Sequence, residues 1–282
     1  MQSWPAPAKL NLFLHVLGRR DDGYHLLQTV FQFLDYGDEL TFTVRNDDQI
    51  RLTCNYDGIE PEQDLVIRSA RLLQSKSDKP VGVDIAVQKR LPIGGGLGGG
   101  SSDAATTLMA LNHIWGMRLS GKELSMIGLG LGADIPVFVK GVAAWAEGVG
   151  EQLSQVDLPE RWFLVVYPGL GVATAEIFNS AYLTRHTPAI TIRDFFAGAG
   201  RNDCEEAVRK AHPEVAALLD WLGSKTQARM TGTGSCVFAV FDTEDEARIL
   251  LQQLPEPWQG FIAHGRNRSP LLDRMSREQS PR

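Results

Sequence analysis

The sequence is poor in cysteine, in long apolar runs and in net positive charge, and each scarcity excludes a class of protein. Its 282 residues include only Cys54, Cys204 and Cys236, which form neither a Cys-x-x-Cys pair nor a disulfide framework. No apolar run approaches the roughly 18 residues that span a bilayer, and the first residues lack the basic-then-apolar order of a signal peptide. We therefore expect a cytoplasmic protein that does not bind a membrane.

The net charge of −6 argues against a partner attracted by a general positive field, so we expect no nucleic-acid partner. A polyanionic small molecule would have to be held by a few local cations and by backbone N–H groups. The six histidines show no shared metal-ligand spacing, so we expect no protein-held metal. The sequence is compatible with a monomer or a homodimer.

Apolar periodicity predicts a mixed chain of strands and helices. Alternating apolar residues predict strands over residues 40–44 and 50–54, and the intervening Asn46-Asp47-Asp48 turn favours a hairpin between them. Residues 64–74 have helical spacing, and Val83, Ile85 and Val87 form another one-faced strand. The character of the chain changes near residue 155, and the stretch from Ser269 onward is expected to be disordered.

A glycine-rich loop is the most informative segment. Six of the seven residues from Gly94 to Gly100 are glycine, and the loop connects the strand at 83–87 to a predicted helix that Gly116 ends. Residues without Cβ let successive N–H groups converge on phosphate oxygens, while the following helix offers its positive N-terminus. Ser101 and Ser102 stand where hydroxyls could cap the helix, contact phosphate or bind magnesium.

Two alternatives compete for this loop. A mobile linker is one, although linkers rarely join a regular strand to a patterned helix. The other is a dinucleotide fold, because Gly94, Gly96 and Gly99 satisfy G-x-G-x-x-G. Against it, the preceding strand alternates instead of being apolar throughout, and no carboxylate lies between Asp103 and Glu123 to bind a ribose. The loop does not match the Walker A motif, because no Lys-Ser or Lys-Thr follows the glycines.

Several segments, in family order, resemble the GHMP kinase superfamily. Pro92-Ile-Gly-Gly-Gly-Leu-Gly-Gly-Gly-Ser-Ser-Asp-Ala-Ala is similar to its ATP-binding signature, and Thr231-Gly-Thr-Gly-Ser-Cys236 to its C-terminal glycine motif. Pro7-Ala-Lys-Leu-Asn-Leu12 and Asp22-Gly-Tyr-His25 resemble the branch that acts on a cytidine diphosphate-linked polyol. Gln63-Asp64-Leu65-Val66 departs from that branch, which has Asn-Leu there and a contact on the adenine side.

The resemblance implies an α+β, two-domain GHMP kinase fold. Its N-terminal domain would resemble domain 2 of ribosomal protein S5, its C-terminal domain would be ferredoxin-like, and the active site would lie between them. The expected limits are residues 1–155, 156–270 and a disordered tail over 271–282. The implied reaction is phosphoryl transfer from ATP, with Mg²⁺ carried by the nucleotide, to the C2 hydroxyl of a methylerythritol unit in isoprenoid precursor synthesis.

The resemblance also implies roles for individual residues. Lys9 and Asp134 would be catalytic, with Lys9 keeping the Asp134 carboxylate ionised. The expected ATP-binding residues are Lys89, Pro92, Ile93, Gly94, Gly95, Gly96, Leu97, Gly98, Gly99, Gly100, Ser101 and Ser102. The expected substrate-binding residues are Asn11, Tyr24, His25, Thr174 and Phe178, with Tyr24 and Phe178 stacking on the cytosine and His25 hydrogen-bonding its edge.

Each role has a plainer alternative. Asp134 after Gly132-Ala133 suits a helix N-cap, Lys9 a surface lysine, Lys89 a solvated charge at a strand end, and Phe178 core packing. For the whole chain, the alternatives are a mevalonate or homoserine kinase, a nicotinamide-dependent oxidoreductase, and a nucleotide-binding module without activity. The Asp22–His25 segment argues against the first, and the presence of both Lys9 and Asp134 argues against the last.

Overall fold

A computed structural model describes residues 3–53, 60, 62–77 and 81–279. The strands in this part of the chain are β1 Trp4–Arg19, β2 His25–Arg45, β3 Ile50–Leu52, β4 Gly82–Gln88, β5 Ala144–Glu147, β6 Gln152–Gln155, β7 Trp162–Tyr167, β8 Ala228–Met230, β9 Val237–Phe241 and β10 Gln259–Arg266. The helices are α1 Leu65–Gln74, α2 Gly99–Ile114, α3 Gly121–Leu129, α4 Ile135–Lys140, α5 Thr174–Asn179, α6 Ile192–Phe196, α7 Glu205–Ala211, α8 Pro213–Gly223, α9 Glu244–Leu251 and α10 Pro270–Gln279. Among these helices, none has the length and apolar character to cross a membrane.

One connected sheet runs through both halves of the chain, in the order β3-β4-β2-β10-β7-β9-β8. Strands β1 and β5 also pair with β2, and β6 pairs with β5. Strand β10 joins the halves, because it pairs with β2 through Gly265 and Arg266 and with β7 through its preceding residues. The recorded strand pairs are antiparallel except β3 with β4, which confirms an α+β arrangement and differs from the parallel sheet of a dinucleotide fold.

The predicted hairpin between residues 40–44 and 50–54 is wrong. Strand β4 lies between its two arms, antiparallel to β2 and parallel to β3. Val83 and Ile85 of β4 are fully buried, so this strand takes the more central place, and the short β3 stands at the edge. The Arg45 guanidinium forms ion pairs with Asp84 of β4 and with Asp47 of the turn. The ion pair with Asp84 supports the pairing of β2 with β4. Position 54 lies outside the described residues.

The helices differ in how they begin. In α1, the Asp64 carboxylate accepts from the Val66 and Ile67 N–H groups, as an N-cap should. Helices α3 and α9 begin with complete capping boxes. Helix α2 begins differently, with Gly98 in the left-handed region at its N-cap position and no side-chain cap bond. The N-terminus of this 16-residue helix therefore keeps its positive end for another acceptor.

Four apolar clusters lie among the described residues, the smallest of them around Phe13 of β1 and Trp145 of β5. One packs α1, α2 and α4 against the N-terminal strands and includes Leu108. A second packs α7, α8 and α9 against the C-terminal strands and includes Leu218. The third contains Leu10, Leu97 and Phe238, so it joins the first strand, the glycine loop and the C-terminal half. The cleft described below is built over this third cluster.

The predicted disordered tail is wrong for residues 271–279, which form most of α10. Leu271 is 1% exposed and Met275 8%, and both belong to the N-terminal core. Their i, i+4 spacing gives a polar helix one apolar stripe, which suffices for docking. The Arg274 guanidinium also lies 4.7 Å from the centre of the Trp4 ring. Residues 280–282 lie outside the described part, and the boundary near residue 155 stays a prediction.

Replacing Leu271 with alanine tests whether α10 stabilises the N-terminal core. Leu271→Ala should lower the free energy of unfolding by about 2–4 kcal/mol, because it opens a cavity in a packed core. Leu129→Ala is the matched control, since Leu129 is 43% exposed at the end of α3. Urea unfolding followed by circular dichroism measures both variants. Equal, small losses in the two would contradict the docking of α10.

Candidate active site

A cleft of about 360 Å³ lies where the two halves meet. Four segments contribute most of its lining. These are the glycine loop, which we define as residues 92–100, the C-terminal glycine turn, which we define as residues 231–236, the start of α1 and helix α5. The predicted site residues that line the cleft are Lys9, Asn11, Lys89, Pro92, Ile93, Gly94, Gly95, Gly96, Leu97, Gly98, Gly99, Gly100, Ser101, Asp134, Thr174 and Phe178. Ser102, Tyr24 and His25 are not in the lining.

Close backbone contacts require alternate glycines in the glycine loop. Gly94, Gly96 and Gly98 have φ of +70°, +75° and +74°, the left-handed region that side chains disfavour. A Cβ on Gly96 would lie 2.4 Å from the Thr231 carbonyl oxygen, and one on Gly98 would lie 2.7 Å from the Phe138 ring. The glycines are therefore needed by their protein neighbours, as well as by any ligand.

The carbonyl groups of the glycine loop are bonded to the protein. The Gly94 oxygen accepts from the Ser235 N–H at 3.2 Å and the Val172 N–H at 3.0 Å, and the Gly95 oxygen accepts from the Cys236 N–H at 3.1 Å. Across a trans peptide, the C=O and the following N–H point in opposite directions. The Gly95 and Gly96 N–H groups consequently point away from these partners, as an anion-binding loop requires.

The two serines after the loop differ in position. The Ser102 hydroxyl is buried and donates to the Pro7 carbonyl at 2.7 Å, so it ties α2 to β1 and is turned away from the cleft. Ser101 lines the cleft in the first turn of α2. Of the two hydroxyls, Ser101 is the one placed to meet a ligand.

Lys9 and Asp134 come together at the cleft. The Lys9 ammonium lies 3.3 Å from an Asp134 carboxylate oxygen, although the two residues belong to β1 and the start of α4. The Lys9 side chain is 4% exposed and that of Asp134 is 36% exposed. Asp134 does occupy the N-cap position of α4, but its side chain makes no capping bond. The alternatives of a surface lysine and an N-cap carboxylate therefore do not describe this pair.

A polar network holds Lys9 in place. Its ammonium donates to the Asn11 side-chain oxygen at 2.6 Å and to the Gly96 carbonyl at 3.2 Å. The Asn11 amide donates in turn to the Thr29 hydroxyl at 2.9 Å, which itself donates to the Phe13 carbonyl. Asn11 thus contacts the catalytic candidate directly. Thr29 was missed by sequence reasoning, because a threonine inside a strand gives no signal.

Lys89 lies in a buried ionic cluster below the glycine loop. Its ammonium contacts the Asp38 carboxylate at 2.5 Å and that of Asp103 at 2.9 Å. Asp38 also accepts from the Arg90 and Leu91 N–H groups. Lys89 is therefore not the solvated charge at a strand end of the alternative interpretation. Sequence reasoning missed Asp38 and Asp103, although Asp103 directly follows the paired serines.

Burial dominates the charge state of this cluster. It raises the pKa of Asp103 to about 7, with the Asp38 carboxylate adding to the rise and the Lys89 ammonium opposing it. The Oδ1 atom of Asp103 is buried without a hydrogen-bond partner among the described residues. For Lys89, burial is the largest influence and acts to lower its pKa, but the two carboxylates outweigh it and raise the pKa.

Two predicted substrate residues, Thr174 and Phe178, line the cleft at α5, and His25 and Tyr24 lie outside the lining. The Thr174 hydroxyl on α5 lies 3.2 Å from that of Thr233 in the C-terminal glycine turn. The rings of His25 and Phe178 stack with centroids 5.1 Å apart. Tyr24 precedes His25 in the β1–β2 loop and is 63% exposed. The structure thus brings His25 to Phe178 and leaves Tyr24 on the outside.

Asp64 accounts for the departure from the expected Asn-Leu pattern. Its carboxylate is buried, accepts two N–H groups as the α1 N-cap and also lines the cleft. A capping side chain can be Asp or Asn with similar effect, so the substitution preserves the start of the helix. Within the described residues, no group of three His, Cys, Asp or Glu side chains could hold a metal ion.

Comparisons with known proteins agree with this geometry. The family model for the N-terminal domain of GHMP kinases matches residues 64–142, and the model for their C-terminal domain matches residues 187–260. A 4-diphosphocytidyl-2-C-methyl-D-erythritol kinase of Alkalilimnicola ehrlichii is 57% identical over 98% of this chain and 95% of its own length. The chain belongs to this kinase family.

Other members of the 4-diphosphocytidyl-2-C-methyl-D-erythritol kinase family support the assignment. The Halorhodospira halophila enzyme is 56% identical, with 95% of this chain and 94% of the relative covered. A crystal structure of such a kinase superposes with a TM-score of 0.81 at 31% identity, covering 94% of this chain and 99% of that one. A mevalonate kinase structure reaches 0.64 at 16% identity and shows the fold alone. The predicted GHMP kinase fold is therefore confirmed.

Gly96 and Gly100 allow a matched test of the glycine loop. Gly96→Ala should lower the free energy of unfolding by about 2 kcal/mol or more, because it strains a left-handed residue and collides with Thr231. A Cβ on Gly100 would lie 3.6 Å from Leu65, an ordinary contact, and alanine suits a helix. Chemical unfolding of both variants measures the difference. Comparable losses would show that the contact with Thr231 is not needed.

The cluster of Asp103 predicts a pH dependence of stability. A carboxyl group whose folded pKa is about 7 contributes stability below its unfolded pKa, near 4, and loses that contribution as pH rises towards 7. The side chain in Asp103→Asn stays neutral at every pH. The free energy of unfolding of this variant, relative to that of the unmodified protein, should therefore be higher at pH 8 than at pH 5. Unfolding midpoints at the two pH values measure this, with exposed Asp157→Asn as the control. An Asp103→Asn difference independent of pH would contradict the assignment.

Proposed function

We propose that this protein is an ATP-dependent kinase that phosphorylates the 2-hydroxyl of 4-diphosphocytidyl-2-C-methyl-D-erythritol, a step of non-mevalonate isoprenoid precursor synthesis. Identity of 57% over nearly the full chain to a kinase of that name supports the substrate. The observation that carries the mechanism is the Lys9–Asp134 pair, 3.3 Å apart beside an uncapped helix N-terminus. Together they provide a base for an alcohol and a site for a phosphate.

The nucleotide phosphates are proposed to lie against the glycine loop and the first turn of α2. The loop turns the Gly95 and Gly96 N–H groups away from the protein, and α2 adds its positive end. Phosphoryl transfer depends on such positioning and charge stabilisation. ATP would arrive as its magnesium complex, with Ser101 as the hydroxyl nearest to it on α2. Lys89 would act mainly from below, holding the loop through Asp38 and Asp103.

Asp134 is proposed as the base for the acceptor alcohol. Its carboxylate is partly exposed and so can meet a substrate hydroxyl, whereas the Lys9 ammonium lies buried behind it. As the bond between the alcohol oxygen and the γ-phosphorus forms, the bond from that phosphorus to the β–γ bridging oxygen breaks and ADP leaves. Asp134 takes the alcohol proton. The positive charge of Lys9, 3.3 Å from that carboxylate, would attract the transferring phosphoryl group.

The cytosine of the substrate is proposed to bind near α5. Phe178 lines the cleft there, and the exposed ring of Tyr24 would pack on the opposite face of the base. Stacking of this kind contributes about 1–3 kcal/mol per base. Thr174 would contact the substrate between the base and the catalytic pair, and Asn11 would act beside Lys9. A cytoplasmic location, and a monomer or homodimer, remain predictions from the sequence.

A direct assay tests the substrate. The purified protein is incubated with ATP, Mg²⁺ and one of three alcohols, namely the cytidine-linked polyol, mevalonate or homoserine. ADP release is followed by a coupled assay, and the product by ³¹P NMR. We expect turnover with the cytidine-linked polyol. Turnover with mevalonate or homoserine and none with that substrate would overturn the proposal.

Substitution of Asp134 tests the mechanism. Asp134→Asn should lower kcat by about 10²- to 10⁴-fold, because the amide cannot accept the alcohol proton in the transition state. Binding of the cytidine-linked substrate, measured by calorimetry, should change little. Exposed Asp157→Asn, which is outside the cleft lining, should retain full activity. Unaltered turnover in Asp134→Asn would remove this residue from the mechanism.

A further inference from the structure

Arg185 connects two residues of the proposed cytosine site. It lies after α5, and its guanidinium donates to the Nε2 atom of His25 at 3.3 Å. The same group donates to the carbonyl oxygens of Phe178 at 2.9 Å, Ser180 at 3.2 Å and Leu183 at 3.4 Å. One guanidinium thus fixes the main chain beneath the Phe178 ring and the edge of the ring stacked on it. Sequence reasoning gave no reason to single it out.

The chemistry of the guanidinium dictates the state of His25. Arginine stays protonated and has donors only, so the Nε2 atom that it bonds must accept through a lone pair. An imidazole with a lone pair on Nε2 is neutral and carries its proton on Nδ1. In the doubly protonated ring, Nε2–H would face the N–H donor of Arg185, and no hydrogen bond could form between them. Arg185 is therefore compatible with one form of His25, the neutral Nδ1–H tautomer.

The surroundings of His25 favour the same neutral form. Burial lowers the pKa of His25, and the positive charges of Arg185 and of Arg19 on β1 lower it further. The ring also stacks on Phe178, at an interplanar angle of 27°, so its orientation is fixed together with its protonation. The result is a neutral ring with one donor, Nδ1–H.

We propose that Arg185 is a positioning residue for substrate recognition, which holds the His25 proton on Nδ1 so that this atom donates to an acceptor on the cytosine. The inference rests on the proposed function, together with the role that the family resemblance implies for His25, which is a hydrogen bond to the edge of the base. Cytosine carries two edge acceptors, N3 and O2, and a donor on His25 is what they require. A histidine with the other tautomer would offer a lone pair there, leaving the acceptor of the base unpaired.

Removing Arg185 should produce a distinctive pH dependence. In Arg185→Met, neutral His25 is released to place its proton on Nε2, so the KM for the cytidine-linked substrate should rise about tenfold at pH 8, the value of one hydrogen bond. The variant lacks the Arg185 charge that helps to lower the pKa of His25, so a change to pH 5.5 favours the doubly protonated ring, in which Nδ1–H returns and part of the increase should disappear. The KM for ATP should stay unchanged, as should kcat. In the unmodified protein the KM should vary little over this range.

¹⁵N NMR of the imidazole reads the tautomer without any substrate. The unmodified protein should show His25 with a protonated Nδ1 and a lone-pair Nε2 at pH 8, and Arg185→Met should show the reverse. Exposed Arg193→Met is the matched control and should resemble the unmodified protein in both measurements. Because the spectrum of the unmodified protein is itself a test, the proposal stays falsifiable if Arg185→Met fails to fold.

The outcomes separate the two proposals. A protonated Nε2 in the unmodified protein, or an Arg185→Met KM that is equally raised at both pH values, would overturn the role of Arg185. An unmodified protein that shows the predicted tautomer but does not phosphorylate the cytidine-linked substrate would instead overturn the proposed function. The tautomer and the tenfold, pH-reversible change in KM together would support both.

Discussion

The backbone of the glycine loop lies directly against that of the C-terminal glycine turn, and the geometry of the cleft depends on this contact. Gly96 has no room for a Cβ, because the Thr231 carbonyl lies in that space. The same contact places the Gly96 carbonyl beside the Lys9 ammonium, while Gly98 leaves room for the Lys9 side chain. Loop, turn and catalytic candidate are thus positioned together, and a displacement of one would displace the others.

Local patterns predicted the elements well, but not their pairing. Residues 64–74 have the apolar spacing of α1, and the alternation at 83–87 is that of β4. The partner of β3 could not be read in this way, because it depends on which strand takes the more central place in the sheet, and β4 takes it with Val83 and Ile85 buried. Helix α10 was missed because a stripe of two buried residues in a polar segment resembles a solvated tail.

For the candidate site, too, the sequence predicted individual residues better than the contacts between them. The glycine density and the order of the segments were sufficient to find Lys9, Asp134 and the loop. The Lys9–Asp134 contact itself joins residues far apart in the chain, so residue types alone left Asp134 open to interpretation as an N-cap. The groups behind the site, Asp38, Thr29 and Arg185, were invisible in the sequence, because each acts through a neighbour that only folding provides. Buried polar partners of this kind follow no period.

Helix α10 has a consequence for how the protein is made. Its apolar stripe completes the core that α2 and β1 begin, and Arg274 rests on Trp4, near the other end of the chain. During synthesis the chain emerges from its N-terminus, so this first core cannot close until α10 has also been made. A chain cut before α10 would therefore leave this core incomplete, exposing apolar surface on the segment that carries the glycine loop.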